Sequence, residues 1–175
     1  SEIMSLEMDV FCLLLLIRIL YQMYINRVQN DHWNYFYYTI AWACVYLFMD
    51  AIWIMNVKHF LTFSKIQSGI FNSFYFCSLA MLVCSWYVYV QKTLHSAVLK
   101  HKKILVLTFI PLIFFIGSSL LSYWTHGLFV IDQAGNYHRG KLLPFYFLIL
   151  FAYILYLSIK AGYLSKKAKN YLYQK

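Results

Sequence analysis

Long apolar runs separated by short polar segments dominate the chain. Five runs approach the roughly 20 residues that a helix needs to cross about 30 Å of hydrocarbon. Their predicted bounds are 10–26, 35–57, 70–90, 104–124 and 142–163. They lack the strict alternation of a membrane β-barrel, and backbone groups in lipid must be satisfied internally, so we predict helices. Pro111 and Pro144 are each expected to bend or start one.

The segment after the fourth run interrupts this pattern. Residues 127–141 read GLFVIDQAGNYHRGK, in which LFVID and YHRGK flank QAGN. Gly135 and Asn136 tolerate the positive φ that a tight turn needs, which predicts a short β-hairpin. A two-stranded ribbon is only marginally stable alone. It is therefore either a lid over the helix ends or a plain solvated turn.

Composition supports a membrane protein. The chain is 62% hydrophobic and only 12% charged, too apolar for a soluble domain to bury. We therefore predict an all-α, polytopic transmembrane bundle of about five spans, with 1–175 as a single membrane domain and 164–175 as a basic tail. The four cysteines lie in apolar runs without metal-ligand spacing, so no metal site or cofactor is predicted.

The net charge of +9 comes from basic residues at the ends of apolar runs, which favours membrane lipids over nucleic acid as partners. Basic residues concentrate on cytoplasmic faces. Nine follow the first, third and fifth runs, and four lie on the other side. This predicts a plasma-membrane protein with an outside N-terminus, an extracellular hairpin and a cytoplasmic C-terminus. The nine are Arg27, Lys92, Lys100, Lys102, Lys103, Lys166, Lys167, Lys169 and Lys175, and the four are Lys58, Lys65, Arg139 and Lys141.

Arg18 and Asp50 are ionisable residues well inside predicted spans. An unpaired charge there costs about 2.5–3.5 kcal/mol on insertion scales. Counted from the predicted outer ends, both lie roughly 10–12 Å deep on antiparallel helices. We therefore predict an Arg18–Asp50 ion pair, which is either structural or the floor of an outward-facing pocket.

Other polar and aromatic groups near the outer ends are enough to line a small cavity. Such groups also hold transmembrane helices together, so a structural role is the alternative. The candidate ligand-binding or gating residues are Arg18, Asp50, Trp53, Asn56, Asn72, Tyr75, Ser119, Tyr123, His126, Asp132, Tyr137, His138 and Arg139.

A resemblance rests mainly on LFVIDQAGNYHRGKLLPFYFLILFAYILYLSIKA, and also on YLFMDAIW, SWYVYV and KKILVLTFIPLI. This order resembles the N-terminal membrane sensor of Firmicutes diguanylate cyclases of the GGDEF type. The resemblance implies a homodimeric sensor that controls a cytoplasmic domain making cyclic di-GMP from two GTP. The chain stops at SKKAKNYLYQK without that output domain, so we expect an isolated sensor or a truncated product.

The sequence lacks a Gly-rich phosphate loop, a zinc-protease motif and a nucleophile elbow, so catalysis by these residues is not expected. The predicted function is a sensor that detects an extracellular or membrane-derived cue, with an unidentified small-molecule ligand, and signals through its fifth helix. The alternatives are a small-solute binding or transport subunit of a membrane complex, and a structural membrane partner without a ligand.

Overall fold

The computed structural model describes residues 2–25, 31–57, 60–94, 102–133 and 135–173. These are mostly helical and contain five helices that are long and apolar enough to cross a membrane. This confirms the prediction of a mostly helical chain with about five helices of spanning length, as a multi-pass membrane protein requires. The helices are α1 (Glu2–Ile25), α2 (Asp31–Val57), α3 (Lys65–Thr93), α4 (Lys102–Thr125) and α5 (Leu143–Tyr173).

Two helices begin at least five residues before their predicted spans. α1 starts at Glu2 instead of at position 10, and its apolar stretch is Leu6–Ile25; Asn26 lies outside the described residues. α3 starts at Lys65 because Ser64 caps it: the Ser64 hydroxyl accepts from the Gln67 amide at 3.4 Å, and the Gln67 side chain accepts from the Ser64 amide at 3.0 Å. This capping box extends the helix through polar residues.

α3 is the central helix, because it packs against α2, α4 and α5, whereas α1 packs mainly on α2. Its buried face carries small residues, including Ser68, Gly69, Ser73 and Ala80, which let neighbouring helices approach closely. At Gly69 a Cβ would lie 2.2 Å from the Tyr123 ring. The packing of α3 on α4 therefore depends on the absence of a side chain at position 69.

A two-stranded antiparallel ribbon joins α4 to α5. Strand β1 is Phe129–Ile131 and β2 is Tyr137–Arg139, with Val130 opposite His138. Each strand has three residues, fewer than the five-residue halves of the sequence pattern. Phe129 and Ile131 are buried, so the ribbon packs on the bundle.

Backbone contacts fix the base of the ribbon. The buried Ser122 hydroxyl accepts from the Leu128 amide at 2.7 Å and from the Phe129 amide at 3.2 Å. Gly140 donates to the Leu128 carbonyl at 2.9 Å, and a Cβ at Gly140 would lie 2.2 Å from the Gly127 carbonyl oxygen. The strands can therefore meet the end of α4 only with glycine at position 140.

Aromatic rings connect the ribbon to the core. Phe129 stacks on Phe76 with 6.0 Å between ring centroids, and Phe76 meets the Tyr146 ring edge to face at 5.6 Å. Tyr146 meets Phe115 at 5.2 Å and donates a hydrogen bond to the Phe76 carbonyl. This chain of contacts joins β1, α3, α5 and α4.

Candidate ligand cavity and neighbouring polar cluster

A cavity of about 430 Å³ lies between β2, α2, α3 and the start of α5. It brings together four of the residues predicted from sequence, Trp53, Tyr75, Tyr137 and Arg139. Its volume lies within the range of small-molecule sites, about 300–1,000 Å³. The complete wall consists of Trp53, Tyr75, Phe76, Tyr137, Arg139, Gly140, Leu143, Pro144 and Phe147.

The alternation of β2 determines which of its side chains reach the cavity. Successive side chains of a strand point to opposite faces, and Tyr137 and Arg139 both line the cavity. His138, between them, is exposed and bonds instead to the turn. The motif YHR therefore divides into two cavity residues and one turn residue.

Trp53 forms the junction of the aromatic wall. Its ring stacks with Tyr75 at 6.5 Å and 20°, and it meets the Tyr137 ring edge to face at 6.0 Å and 89°. Because the three rings belong to α2, α3 and β2, the position of the ribbon over the cavity depends on two helices at once.

Tyr137 and Arg139 give the cavity its polar edge. Burial raises the pKa of the Tyr137 phenol, and the nearby positive charge of Arg139 lowers it by a smaller amount. The net pKa is above the ordinary value, so the phenol stays protonated at neutral pH and can donate a hydrogen bond. No ion pair to Arg139 occurs among the described residues.

Asp132 and His138 stabilise the turn instead of lining the cavity. The Asp132 carboxylate accepts from the Asn136 amide at 2.8 Å and from its side chain at 3.1 Å, and it lies 3.3 Å from His138 Nε2. Gly135 adopts φ 86°, which glycine does without strain. The Ser68 hydroxyl donates to the Gly135 carbonyl at 3.1 Å, which ties the turn to α3.

The predicted Arg18–Asp50 ion pair is not formed. Asp50 instead lies close to the Asp9 carboxyl, and Arg18 is exposed on α1. The predicted depth is measured from position 10, whereas α1 begins at Glu2. Arg18 lies nine residues beyond Asp9, roughly 13 Å along the helix axis, and this separation places it at a different level.

Asp50 belongs to a polar cluster next to the cavity. Its carboxyl lies near the Tyr75 hydroxyl, which is 3.2 Å from the Tyr46 hydroxyl. Two neighbouring carboxylates repel each other when both are charged. Tyr75 therefore connects the cavity wall to the Asp9–Asp50 pair.

Five further predicted residues lie outside the cavity wall, and four of them have structural contacts. Buried Asn72 donates to the Ser68 carbonyl at 2.8 Å, and buried Ser119 donates to the Phe115 carbonyl at 2.7 Å.

The other three lie near helix ends or at a helix contact. Tyr123 packs on Gly69. His126 ends α4 in a left-handed conformation, φ 55°, with its amide donating to Ser122. Asn56 is half-buried near the end of α2.

Asp9 and several wall residues are not among those predicted from sequence. The sequence pattern groups Asp9 with the acidic outer segment, because the first apolar run begins at position 10. Leu143, Pro144 and Phe147 lie within the first five residues of α5. Their spacing fits one helix face, but apolar residues in an apolar run give no signal that distinguishes a cavity wall from a lipid-facing surface.

Comparisons with protein-family models, with curated proteins and with solved structures find no match for this chain. The likeness to GGDEF-type sensors therefore rests on the sequence patterns quoted above.

Proposed function

We propose that this chain is a membrane-embedded sensor module that binds a small ligand in the cavity beneath the ribbon and signals through α5. The observation that carries the proposal is the composition of the cavity wall. It combines the ribbon residues Tyr137 and Arg139 with the first residues of α5. A ligand there contacts both a surface segment and the helix that leads to the C-terminal segment.

Contacts along α5 support transmission. Beyond the cavity, the Tyr153 hydroxyl donates to the Thr108 carbonyl of α4. Further along, the Lys160 ammonium donates to the buried Gln91 side chain of α3 at 2.6 Å. A ligand that favours one arrangement of α5 against α3 and α4 would shift the population toward it by its differential affinity.

The proposed orientation places the ribbon outside and the C-terminal segment in the cytoplasm of a plasma-membrane protein. Its support is the excess of basic residues on one predicted face. Of the residues counted on the two faces, Arg27, Lys58, Lys100 and Lys175 lie outside the described residues. Labelling of Gln133→Cys by an impermeant maleimide tests it. We expect labelling in intact cells for Gln133→Cys, and for Ser165→Cys only after permeabilisation. The reverse pattern would refute the orientation.

The output is proposed from the resemblance: a cytoplasmic diguanylate cyclase domain controlled by a sensor homodimer. A fusion of the chain to such a catalytic domain tests this in cells through the amount of cyclic di-GMP. Phe147 lines the cavity, whereas Phe151, one turn further along α5, is 64% exposed and lies outside the wall. We expect Phe147→Trp to change cyclic di-GMP at least twofold and Phe151→Trp to leave it unchanged.

Equal effects of the two substitutions, at equal protein levels, would contradict signalling from the cavity. Solute accumulation by proteoliposomes containing the chain would instead support the transport alternative. The cyclic di-GMP measurement separates the sensor from its main rival even while the ligand is unidentified.

A further inference from the structure

The cavity has an uneven distribution of polarity. Five aromatic side chains and two aliphatic ones form most of its wall, and Arg139 is the charged residue among those that line it. An apolar site with one cation at its edge binds molecules that carry an apolar body and a single anionic group.

The Arg139 charge is placed to act on a ligand. Arg139 shares a face of β2 with Tyr137, and its charge is close enough to influence the Tyr137 phenol. Among the described residues no carboxylate pairs with it. Asp132, the acidic residue of the ribbon, bonds to Asn136 and His138 instead. A guanidinium of this kind can hold a carboxylate or phosphate by two hydrogen bonds.

A cationic ligand fits the cavity less well, although aromatic rings attract cations. Trp53 already stacks with Tyr75 and meets the Tyr137 ring edge to face, so these three rings form one connected set of contacts. Arg139 would also repel a cation. Of the acidic residues near the cavity, Asp50 lies beside Tyr75 and close to Asp9, and Asp132 bonds within the turn.

The wall also suggests where a ligand enters. Pro144 and Phe147 are exposed, Phe147 to 47%, and both lie at the start of the candidate span Leu143–Tyr163. If the segment Leu143–Tyr163 crosses a bilayer, that edge of the cavity lies where hydrocarbon meets the interface. A ligand could therefore keep its apolar body toward lipid and its anionic group toward the ribbon.

We propose that the cavity binds an amphipathic anion, with one carboxylate or phosphate held by Arg139 and Tyr137 and an apolar body held against Trp53 and Phe147. This inference rests on the proposed function, since it names the ligand class of the same cavity. The anion comes either from the bilayer, as a fatty carboxylate, or from water, as a small aryl carboxylate.

The test uses the full chain in phosphatidylcholine nanodiscs and parinarate, a fluorescent fatty carboxylate that accepts energy from tryptophan. Empty nanodiscs correct for partitioning into lipid. We expect saturable binding whose Kd rises at least about tenfold in Arg139→Gln, a loss that corresponds to about 1.4 kcal/mol. Lys141→Gln is the matched control, because Lys141 is exposed and lies outside the cavity wall; its Kd should stay unchanged.

Competition identifies the source. Displacement by unlabelled palmitate supports a ligand from the bilayer, and displacement by indole-3-acetate supports one from water. Displacement by neither, or the same Kd in Arg139→Gln and Lys141→Gln, would overturn the inference.

The methyl ester of parinaric acid separates the two proposals. In one outcome the ester binds saturably, Trp53→Ala weakens its binding, and Arg139→Gln leaves the Kd of both probes unchanged. The cavity is then a ligand site, but the ligand is not an anion. If neither probe responds to Trp53→Ala, Phe147→Ala or Arg139→Gln, the cavity is not a ligand site and the proposed function fails as well.

Discussion

The indole ring of Trp53 on α2 meets the phenol ring of Tyr137 on β2 edge to face, with 6.0 Å between the ring centroids. This contact joins the ribbon to α2 at the cavity wall. The ribbon residue and the helix residue are 84 positions apart in the chain, so the contact exists only in the folded bundle.

A double-mutant cycle measures this contact. Edge-to-face pairs contribute about 0.5–1.5 kcal/mol beyond their buried area. We expect the effects of Trp53→Ala and Tyr137→Ala on the free energy of unfolding in mixed micelles to differ from additivity by that amount. Trp53→Ala combined with Tyr163→Ala is the control, because Tyr163 is 67% exposed on α5. Additive effects in the Trp53–Tyr137 cycle would show that the rings do not interact.

Gly140→Ala should prevent the ribbon from closing. The new Cβ would lie 2.2 Å from the Gly127 carbonyl oxygen and 2.5 Å from the Leu128 carbonyl carbon. These are backbone atoms, so a shift of the ribbon is required, with a cost of about 1–3 kcal/mol or more. Gly117→Ala is the matched control, since no heavy atom lies within 4 Å of its Cβ position. Equal thermal stability of the two variants would refute the close approach.

Gly69→Ala tests the packing of α3 on α4. The added methyl group would collide with the Tyr123 ring, and we expect a loss of about 1–3 kcal/mol in the free energy of unfolding. The same change in a Tyr123→Ala background should have a much smaller effect, because the colliding ring is absent. An undiminished effect in that background would locate the strain elsewhere in α3.

Asp132→Ala should loosen the turn while leaving the bundle folded. The change removes the acceptor for the Asn136 amide and side chain, and one such hydrogen bond to a charged group contributes about 1.5–3 kcal/mol. We expect hydrogen exchange across residues 132–137 to speed up at least about tenfold. Gln133→Ala, at an exposed neighbouring position, is the control. Unchanged exchange in Asp132→Ala would mean that the strands alone hold the turn.

Charge swaps test the revised arrangement of α1. The double variant Arg18→Asp with Asp50→Arg should give no higher folded yield than Arg18→Asp alone, because the two residues are at different levels. Asp9→Asn should leave the free energy of unfolding unchanged or raise it by about 1 kcal/mol, since a neutral amide near Asp50 removes the repulsion between two carboxylates. A higher folded yield from membranes for the double variant than for Arg18→Asp alone would support the predicted Arg18–Asp50 ion pair.

Hydropathy located all five helices that are long and apolar enough to cross a membrane, because length and apolarity are what a bilayer demands of a helix. Hydropathy could not predict that Asp9 lies close to Asp50. The start of α1 depends on residues 2–9, and three acidic residues there, Glu2, Glu7 and Asp9, interrupt the apolar pattern. Once that start is misplaced, every depth counted along α1 shifts with it.

Four of the nine residues of the cavity wall were predicted from the sequence. Tyr137 and Arg139 are distinctive because they lie in a polar segment, and Trp53 and Tyr75 because they are aromatic groups that carry a polar atom. Phe147 and Leu143 resemble their lipid-facing neighbours in every local property. Which side they face depends on how α5 is rotated against α3, and tertiary packing determines that rotation.

α5 runs without interruption through 31 residues, roughly 46 Å at 1.5 Å per residue. Its proline, Pro144, lies in the first turn, where it does not bend a helix. The helix therefore has no proline joint along its length, and a twist applied beside Phe147 would reach Lys160 with the same sense and nearly the same angle. A rotation of this helix at one end would therefore also turn a segment attached to its other end.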